Sequence, residues 1–268
     1  MKHLKKLRAL ASAATIGLAA AAAPSAQAAL IGYYTFENSV ADVSGNGNHG
    51  TMGPTAPTYT ASGHQGGAYQ FGAGGLNTYL TVPININPSA LPKVTFGAWF
   101  NADGADAVIR GLISHDNGGY DRTLTVDTRN ADGAVNWQMF TGAGTAHFAG
   151  GAGNVVPDDW TFVAVVYDLL ANTSCLYVDG AYGCVGASPS TDAQSVTTIG
   201  RNPNFDFPFI GRIDDVFFFD EALSKVQLDD IRRNGIAVPT PATLPLVLVA
   251  AAGLIVPRRR VKATSAAT

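Results

Sequence analysis

"WTFVAVVYDLLANTSCLYVDGAYGC", residues 160–184, decides the fold. Its first eight residues, Trp160 to Tyr167, are apolar at both odd and even positions, which predicts a central strand covered on both faces. The second half reads as a hairpin. Asp179-Gly180 is a two-residue turn of the type that joins antiparallel strands, so Val178 faces Ala181, Tyr177 faces Tyr182, Leu176 faces Gly183 and Cys175 faces Cys184. Bonded and non-bonded pairs alternate outward from a bonded first pair, so the cysteines occupy a non-bonded pair, where the backbones come closest. That spacing suits a disulfide, the alternative being two buried thiols. A CxxC redox centre or a zinc site is excluded, because the chain has only these 2 cysteines.

Outward from this stretch the same signals recur. "VTFGAWF" (94–100) is again apolar on both sides, while "YYTF", "AYQF", "YLTV", "VIRGLIS", "TLTV", "VNWQMF", "TTIG" and "IDDVFFF" are short aromatic and β-branched runs separated by Gly, Pro, Asn and Asp clusters. No alternation with helices of ten to fifteen residues appears, which argues against βαβ units. The prediction is an all-β, two-sheet antiparallel jelly-roll sandwich. One helix is expected, in "LSKVQLDDIRRNG" (223–235). Ser224 caps it with Gln227 as reciprocal partner, Leu223 and Leu228 form a staple, Leu228 and Ile231 make a narrow apolar stripe, and Gly235 stops it.

Composition bounds the rest. Of 268 residues 30 are Gly and only 14% are charged, so the chain is rich in turns and poor in solvated charge runs. The net charge is −3 and the basic residues cluster at the termini, leaving a more acidic middle that disfavours nucleic acid as a partner. At the N-terminus Lys5, Lys6 and Arg8 precede an alanine-rich run and the small-x-small pattern Ala26-Gln27-Ala28. This is read as a secretory signal peptide over residues 1–28, cut before Ala29; a retained anchor is the alternative. Residues 29–236 are then one domain, and 237–268 a separate tail.

Several motifs together resemble the laminin G-like, concanavalin A-like jelly roll of bacterial surface proteins: "YYTFENSVADVSGNGNHGT", "VTFGAWF", "WTFVAVVYD", "CLYVDG" and the closing "FIGRIDDVFFFDEALSKVQLDDIRRNG". The resemblance covers about residues 30 to 235 in order. It implies an architecture that serves lectins, adhesive modules and hydrolases alike. In "DVSGNG", Asp42, Ser44 and Asn46 offer oxygen ligands before the turn glycine Gly47, the opening half of a calcium loop, but Gly53 stands where an EF-hand needs glutamate. The resemblance implies a structural calcium between this loop and the acidic strand, with Asp42, Asn46 and Asp214 as ligands. The alternative reading is that Asp42 and Asn46 make Asx-turns and Asp214 caps a loop. "GNGNHG" (45–50) formally matches GxGxxG, but no helix follows it, so no dinucleotide site is expected.

Catalysis is not expected. Jelly-roll glycosidases use paired carboxylates, and the only glutamates, Glu37 and Glu221, have no acidic partner at the ExDxxE spacing. Asp158-Asp159 and Asp229-Asp230 are adjacent pairs whose side chains diverge, and no GxSxG, HExxH or Walker pattern occurs. The expected role is an exported, surface- or matrix-associated module that binds glycan or protein. A secreted polysaccharide hydrolase on the same fold is the competing class. Aromatic candidates for stacking on sugars are Tyr120, Trp137 and Phe205, with Phe207 beside it, each of which also serves as a packing residue.

The tail reads "VPTPATLPLVLVAAAGLIVPRRR" (238–260). Its apolar core, Leu244 to Val256, would be about 20 Å long as a helix, short of the about 30 Å of a bilayer core. Arg258, Arg259 and Arg260 would hold its end on the cytoplasmic side. With Val238, Pro239 and Pro241 ahead of it, the segment resembles a PEP-CTERM sorting signal, which implies an exosortase-type processing enzyme and transient membrane attachment before release to the surface or matrix. Thr240 replaces the family's glutamate, and Pro257 and "VKATSAAT" depart from its pattern. A plain C-terminal anchor is the alternative.

Overall fold

A computed structural model describes residues 28–72, 78–104, 108–127, 134–148, 151–204 and 208–238. The signal-peptide segment up to Gln27, and Pro239, Pro241, residues 244–256 and Arg258 to Arg260 of the tail, lie outside these residues; of the tail motif only Val238 is described. No described helix is long and apolar enough to cross a membrane.

The expected sandwich is present. Its first sheet orders β13 (Ala181–Val185), β12 (Thr173–Val178), β11 (Trp160–Asp168), β6 (Lys93–Ala102), β15 (Gly211–Phe219), β4 (Ala68–Phe71) and β3 (Thr58–Thr60), with β1 (Leu30–Tyr34) as an eighth strand on β15. The second orders β10 (Thr145–Ala146), β9 (Asn136–Phe140), β8 (Thr123–Asp127), β7 (Arg110–Ser114), β14 (Thr197–Ile199), β5 (Leu80–Val82) and β2 (Thr51–Met52). Every ladder between these strands is antiparallel.

Strand periodicity explains the two-sided burial read from the sequence. Val94, Phe96, Ala98 and Phe100 of β6 and Val163, Val165 and Tyr167 of β11 face the second sheet and join the main core. The alternate residues Phe162, Ala164 and Val166 face outward into a second cluster with Tyr33, Tyr177, Phe217, Leu223 and Leu228. The helix α1 (Lys225–Asn234) closes that cluster. Ser224 and Gln227 form the anticipated capping box, Gly235 follows at φ 74°, and Leu228 is the buried residue of the stripe. Thr95, on the outer face of β6, ties the turn before α1 to the sheet: its hydroxyl donates to Glu221 O at 2.7 Å and accepts Leu223 N–H at 2.9 Å.

The hairpin register is the one the turn chemistry dictates, from Val178 opposite Ala181 out to Cys175 opposite Cys184. The cysteines are bonded across 4.0 Å of Cα separation. A cross-link closing so short a loop stabilises by roughly 2–3 kcal/mol in the chain-entropy model. Replacing both cysteines by alanine is therefore expected to lower the melting temperature by about 5–10 °C for a domain of this size. A calorimetric scan of the oxidised protein and the double variant measures the difference.

Candidate functional site

The loop expected to open a calcium site covers the free side of a strand. β1 has β15 on one side only, which leaves main-chain groups on its other side to be satisfied. Asp42 Oδ1 accepts Tyr33 N–H at 3.0 Å, Asn48 Nδ2 donates to Ile31 O at 2.7 Å, and Asn46 Nδ2 donates to Leu30 O at 2.8 Å. Val43 N–H adds a main-chain bond to Tyr33 O at 2.8 Å. The second oxygen of Asp42 accepts Asn48 N–H at 2.9 Å, and Ser44 N–H reaches Oδ1 at 2.8 Å, the geometry of an Asx-turn. Burial works to raise the Asp42 carboxyl, but hydrogen bonds from Ser44, Tyr33 and Asn48 outweigh it and hold the group below the usual carboxylate range.

Asp214 belongs to a different set of contacts. β15 carries a bulge between Asp214 and Phe217, with Asp215 in the left-handed region at φ 52°, where its neighbour changes from β4 to β1. Asp214 is fully buried, its Oδ2 accepting Gln65 N–H at 3.0 Å and its Oδ1 accepting Asp215 N–H at 2.8 Å. Asp215 accepts from the Tyr33 hydroxyl at 2.7 Å, and both oxygens of Glu37 receive Gly67 N–H. Asp42, Asn46 and Asp214 thus each hold backbone partners of their own. Among the described residues no three His, Cys, Asp or Glu side chains are grouped to hold a metal ion.

Of the three aromatic candidates, Trp137 is a core residue. It is fully buried against Phe100, with ring centroids 5.7 Å apart, and faces the first sheet. Phe205, with Phe207, lies outside the described residues. Tyr120 is 44% exposed, and its ring meets that of Phe140 edge-on at 5.2 Å. Phe140 is the last residue of β9, so Tyr120 stands at the end of the second sheet.

The outer face of that sheet carries the most unusual polar chemistry among the described residues. Leu124 and Val126 of β8 and Trp137 and Met139 of β9 point into the core. The intervening Thr123, Thr125, Asp127, Asn136, Gln138 and Phe140 therefore point away from it, yet all are buried. Register places Thr125 opposite Gln138 and Asp127 opposite Asn136, while Ser114 and Thr123 share a 2.7 Å hydroxyl bond. Exposed His147 stands 3.4 Å from Gln138 Nε2, and exposed Thr145 pairs with Phe140 in register. Two floor atoms, Thr125 Oγ1 and Asn136 Oδ1, are buried without a hydrogen-bond partner. A buried polar atom without a partner costs about 1–3 kcal/mol, so such atoms are retained where something else satisfies them.

The rim is built by loops. In "HDNGGYDR" (115–122), Asp116 accepts Gly118 N–H at 3.0 Å and Asn202 Nδ2 at 3.0 Å, while Asp121 accepts Asn117 N–H at 3.1 Å and the Thr191 hydroxyl at 2.8 Å. These bonds hold Tyr120 at φ 54°. Gly111 lets the 201–202 segment cross β7, since a Cβ there would lie 2.0 Å from Asn202 N. The two glutamates are elsewhere: Glu221 pairs with Lys93 at 3.2 Å, and Glu37 holds Gly67. The sequence signal for the floor was the polar-apolar alternation of "TLTVD" and "NWQMF", strands whose polar residues fall on one face.

A family model described as the concanavalin A-like lectin/glucanases superfamily matches residues 73–228. No curated protein matches the chain. Among solved structures, domain 4 of AbnA, a GH43 extracellular arabinanase from Geobacillus stearothermophilus in complex with arabinotriose, is similar at 19% identity and TM-score 0.58, covering 76% of this chain and 98% of that one. The botulinum neurotoxin serotype D binding domain is similar at 14% identity and TM-score 0.54, covering 76% of this chain and 51% of that one. The binding domain of Paraclostridial Mosquitocidal Protein 1 follows at 13% and 0.58, covering 75% and 51%. The chain thus spans about half the length of these toxin domains, and likeness at such identities is a likeness of fold.

The Asp214 anchor makes stability depend on pH. Burial first, and the neighbouring Asp215 charge second, push its carboxyl up to about 7, against N–H bonds from Gln65, Asp215 and His64. The folded state therefore holds a proton that the unfolded chain, with an ordinary carboxyl near 3.9, has released. Stability from this group is fully present below about pH 4 and declines as pH rises toward 7. Denaturant titrations from pH 4 to 8 are expected to show this decline, and Asp214→Asn to flatten it.

Proposed function

The chain belongs to the concanavalin A-like lectin/glucanases superfamily, and from that premise we propose that it is a glycan-binding, non-catalytic module. The end of the second sheet, where Tyr120 is exposed, receives the sugar. One observation carries this reading: the exposed aromatic ring of Tyr120 and the exposed Thr145 both flank Phe140 at the end of β9. Sugars present hydroxyls to such groups and an apolar C–H face to an aromatic ring, and ligand sites combine a few convergent polar groups with an aromatic wall. The arabinotriose in the structure of AbnA domain 4 supports a saccharide as ligand class, as does a similar structure of botulinum neurotoxin type C, a toxin whose cell entry depends on interaction with two ganglioside molecules.

In this proposal the protein is exported by the segment up to Ala28 and acts at the cell surface or in an extracellular matrix. The tail with Pro239, Pro241 and Arg258 to Arg260 is recognised by an exosortase-type enzyme after transient membrane attachment. Intact mass of the protein recovered from the envelope or medium is expected to lack residues before Ala29 and residues after about Pro239. A mass that includes the three arginines would rule out processing.

A glycan array with reducing-sugar detection tests the binding face. Wild type is expected to retain a saccharide without releasing sugar. Tyr120→Ala is expected to weaken binding about tenfold, the loss of one stacking contact of about 1.4 kcal/mol. Binding unchanged in that variant would place the ligand elsewhere, and sugar release would make the protein a hydrolase.

A further inference from the structure

Just ahead of β1 the chain meets a carboxylate. Leu30 opens β1 opposite Phe219 of β15, and the residues next outward, Ala29 and Asp220, are clasped twice. Ala29 N–H donates to Asp220 Oδ1 at 2.8 Å, and Asp220 N–H donates to Ala29 O at 3.2 Å. Asp220 is half-buried and has no other hydrogen-bond or ion-pair partner among the described residues. Its negative charge therefore meets one neutral amide and no cation.

Ala29 is also the residue before which the pattern Ala26-Gln27-Ala28 places cleavage. Hydrolysis there breaks the Ala28–Ala29 amide bond: water gives its hydroxyl to the Ala28 carbonyl carbon and a proton to the Ala29 nitrogen. The nitrogen that was a neutral amide becomes an α-amino group, protonated below about pH 8.

We propose that the amino terminus released by this cut is captured by Asp220 as an ion pair, so that maturation supplies the counter-charge the folded domain otherwise lacks. The proposal rests on reading residues 1–28 as a signal peptide. The nitrogen need not move to make the pair, because it already stands at a distance typical of charge-assisted bonds. The surroundings have the matching sign. Ala29 borders a cavity of about 600 Å³ between β1, the 42–48 loop and α1. The loop offers uncharged Ser44 and Asn46 to it, α1 offers Asp230, and no Lys, Arg or His is among its described lining. The charged groups nearby are engaged elsewhere: Glu221 with Lys93, Lys225 with Asp229, Arg232 with the Tyr177 hydroxyl and Arg233 with the Asp229 carbonyl. A carboxylate partner raises the pKa of the amine above that of a free terminus, so the stabilisation is fully present below about pH 8 and is lost as pH rises through the raised value.

The protein recovered after export, its first residue read by terminal sequencing, is compared with Asp220→Asn, which keeps an acceptor oxygen and removes the charge. Ala29 is exposed, so its amine is open to an acylating reagent. Labelling of that amine at about pH 7 is expected to be about threefold slower in wild type, because the carboxylate keeps more of it protonated. Asp220→Asn is expected to melt about 1–3 °C below wild type at about pH 6, and the gap to close by about pH 10, where the amine is neutral. The gap is read rather than either melting temperature, since Asp214 shifts both proteins alike. Acetylating the Ala29 amine of wild type restores a neutral amide and is expected to reproduce the loss, which keeps the test should Asp220→Asn fail to fold. Equal labelling in the two proteins, a gap unchanged at about pH 10, or acetylation without effect would overturn the capture and leave the cleavage reading standing. A first residue other than Ala29 would overturn both.

Discussion

Every main-chain N–H and C=O in a sandwich must be bonded or wet, and this requirement shapes the molecule more than any single side chain does. The interior ladders meet it by pairing. At β15 the ladder cannot run straight, because β4 ends where β1 begins, and the bulge at Asp214 and Asp215 absorbs the change of neighbour. The bulge turns two adjacent carboxylates inward, and both find donors: the 64–65 backbone for Asp214 and the Tyr33 hydroxyl for Asp215. Tyr33 in turn gives its N–H to Asp42. A single tyrosine on β1 therefore links the bulge to the loop that covers the strand's free side.

The same requirement sets what could be read from the sequence. The 175–184 hairpin was legible to the residue, because a two-residue turn fixes register and register fixes which side chains face each other. The helix cap was legible for a similar reason: its partners are three residues apart. Two-sided burial of β6 and β11 followed from runs with no polar alternation. All of these are local patterns whose geometry contains the answer.

The loop at 42–48 was legible only as chemistry. Asp42, Ser44 and Asn46 at alternate positions supply oxygens at the spacing of a cation loop, and the same spacing lets them bond to their own backbone and to a strand beside them. Which strand these groups reach depends on β15 having β1 at its edge, a contact nearly two hundred residues away in the chain. Trp137 was ambiguous in a related way: its strand was clear, but which face it took depended on β8 and β10 being its neighbours.

The placement of the candidate site follows from how the two outer faces are used. On the first sheet the outward residues of β6, β11 and β12 are Phe162, Ala164, Val166, Trp99 and Tyr177, and they need an apolar cover, which α1 provides through Leu228 and Ile231. That face is consequently closed to a polar ligand over the span of the helix. On the second sheet the corresponding positions are Thr123, Thr125, Asn136 and Gln138, which gain nothing from an apolar cover and would be destabilised by one. On that face Thr125 Oγ1 and Asn136 Oδ1 are left without a hydrogen-bond partner. Residues at alternate positions of "TLTVD" and "NWQMF" therefore do two different jobs on opposite faces of the same strands, filling the core with one set and placing hydroxyl and amide groups on the outer face with the other.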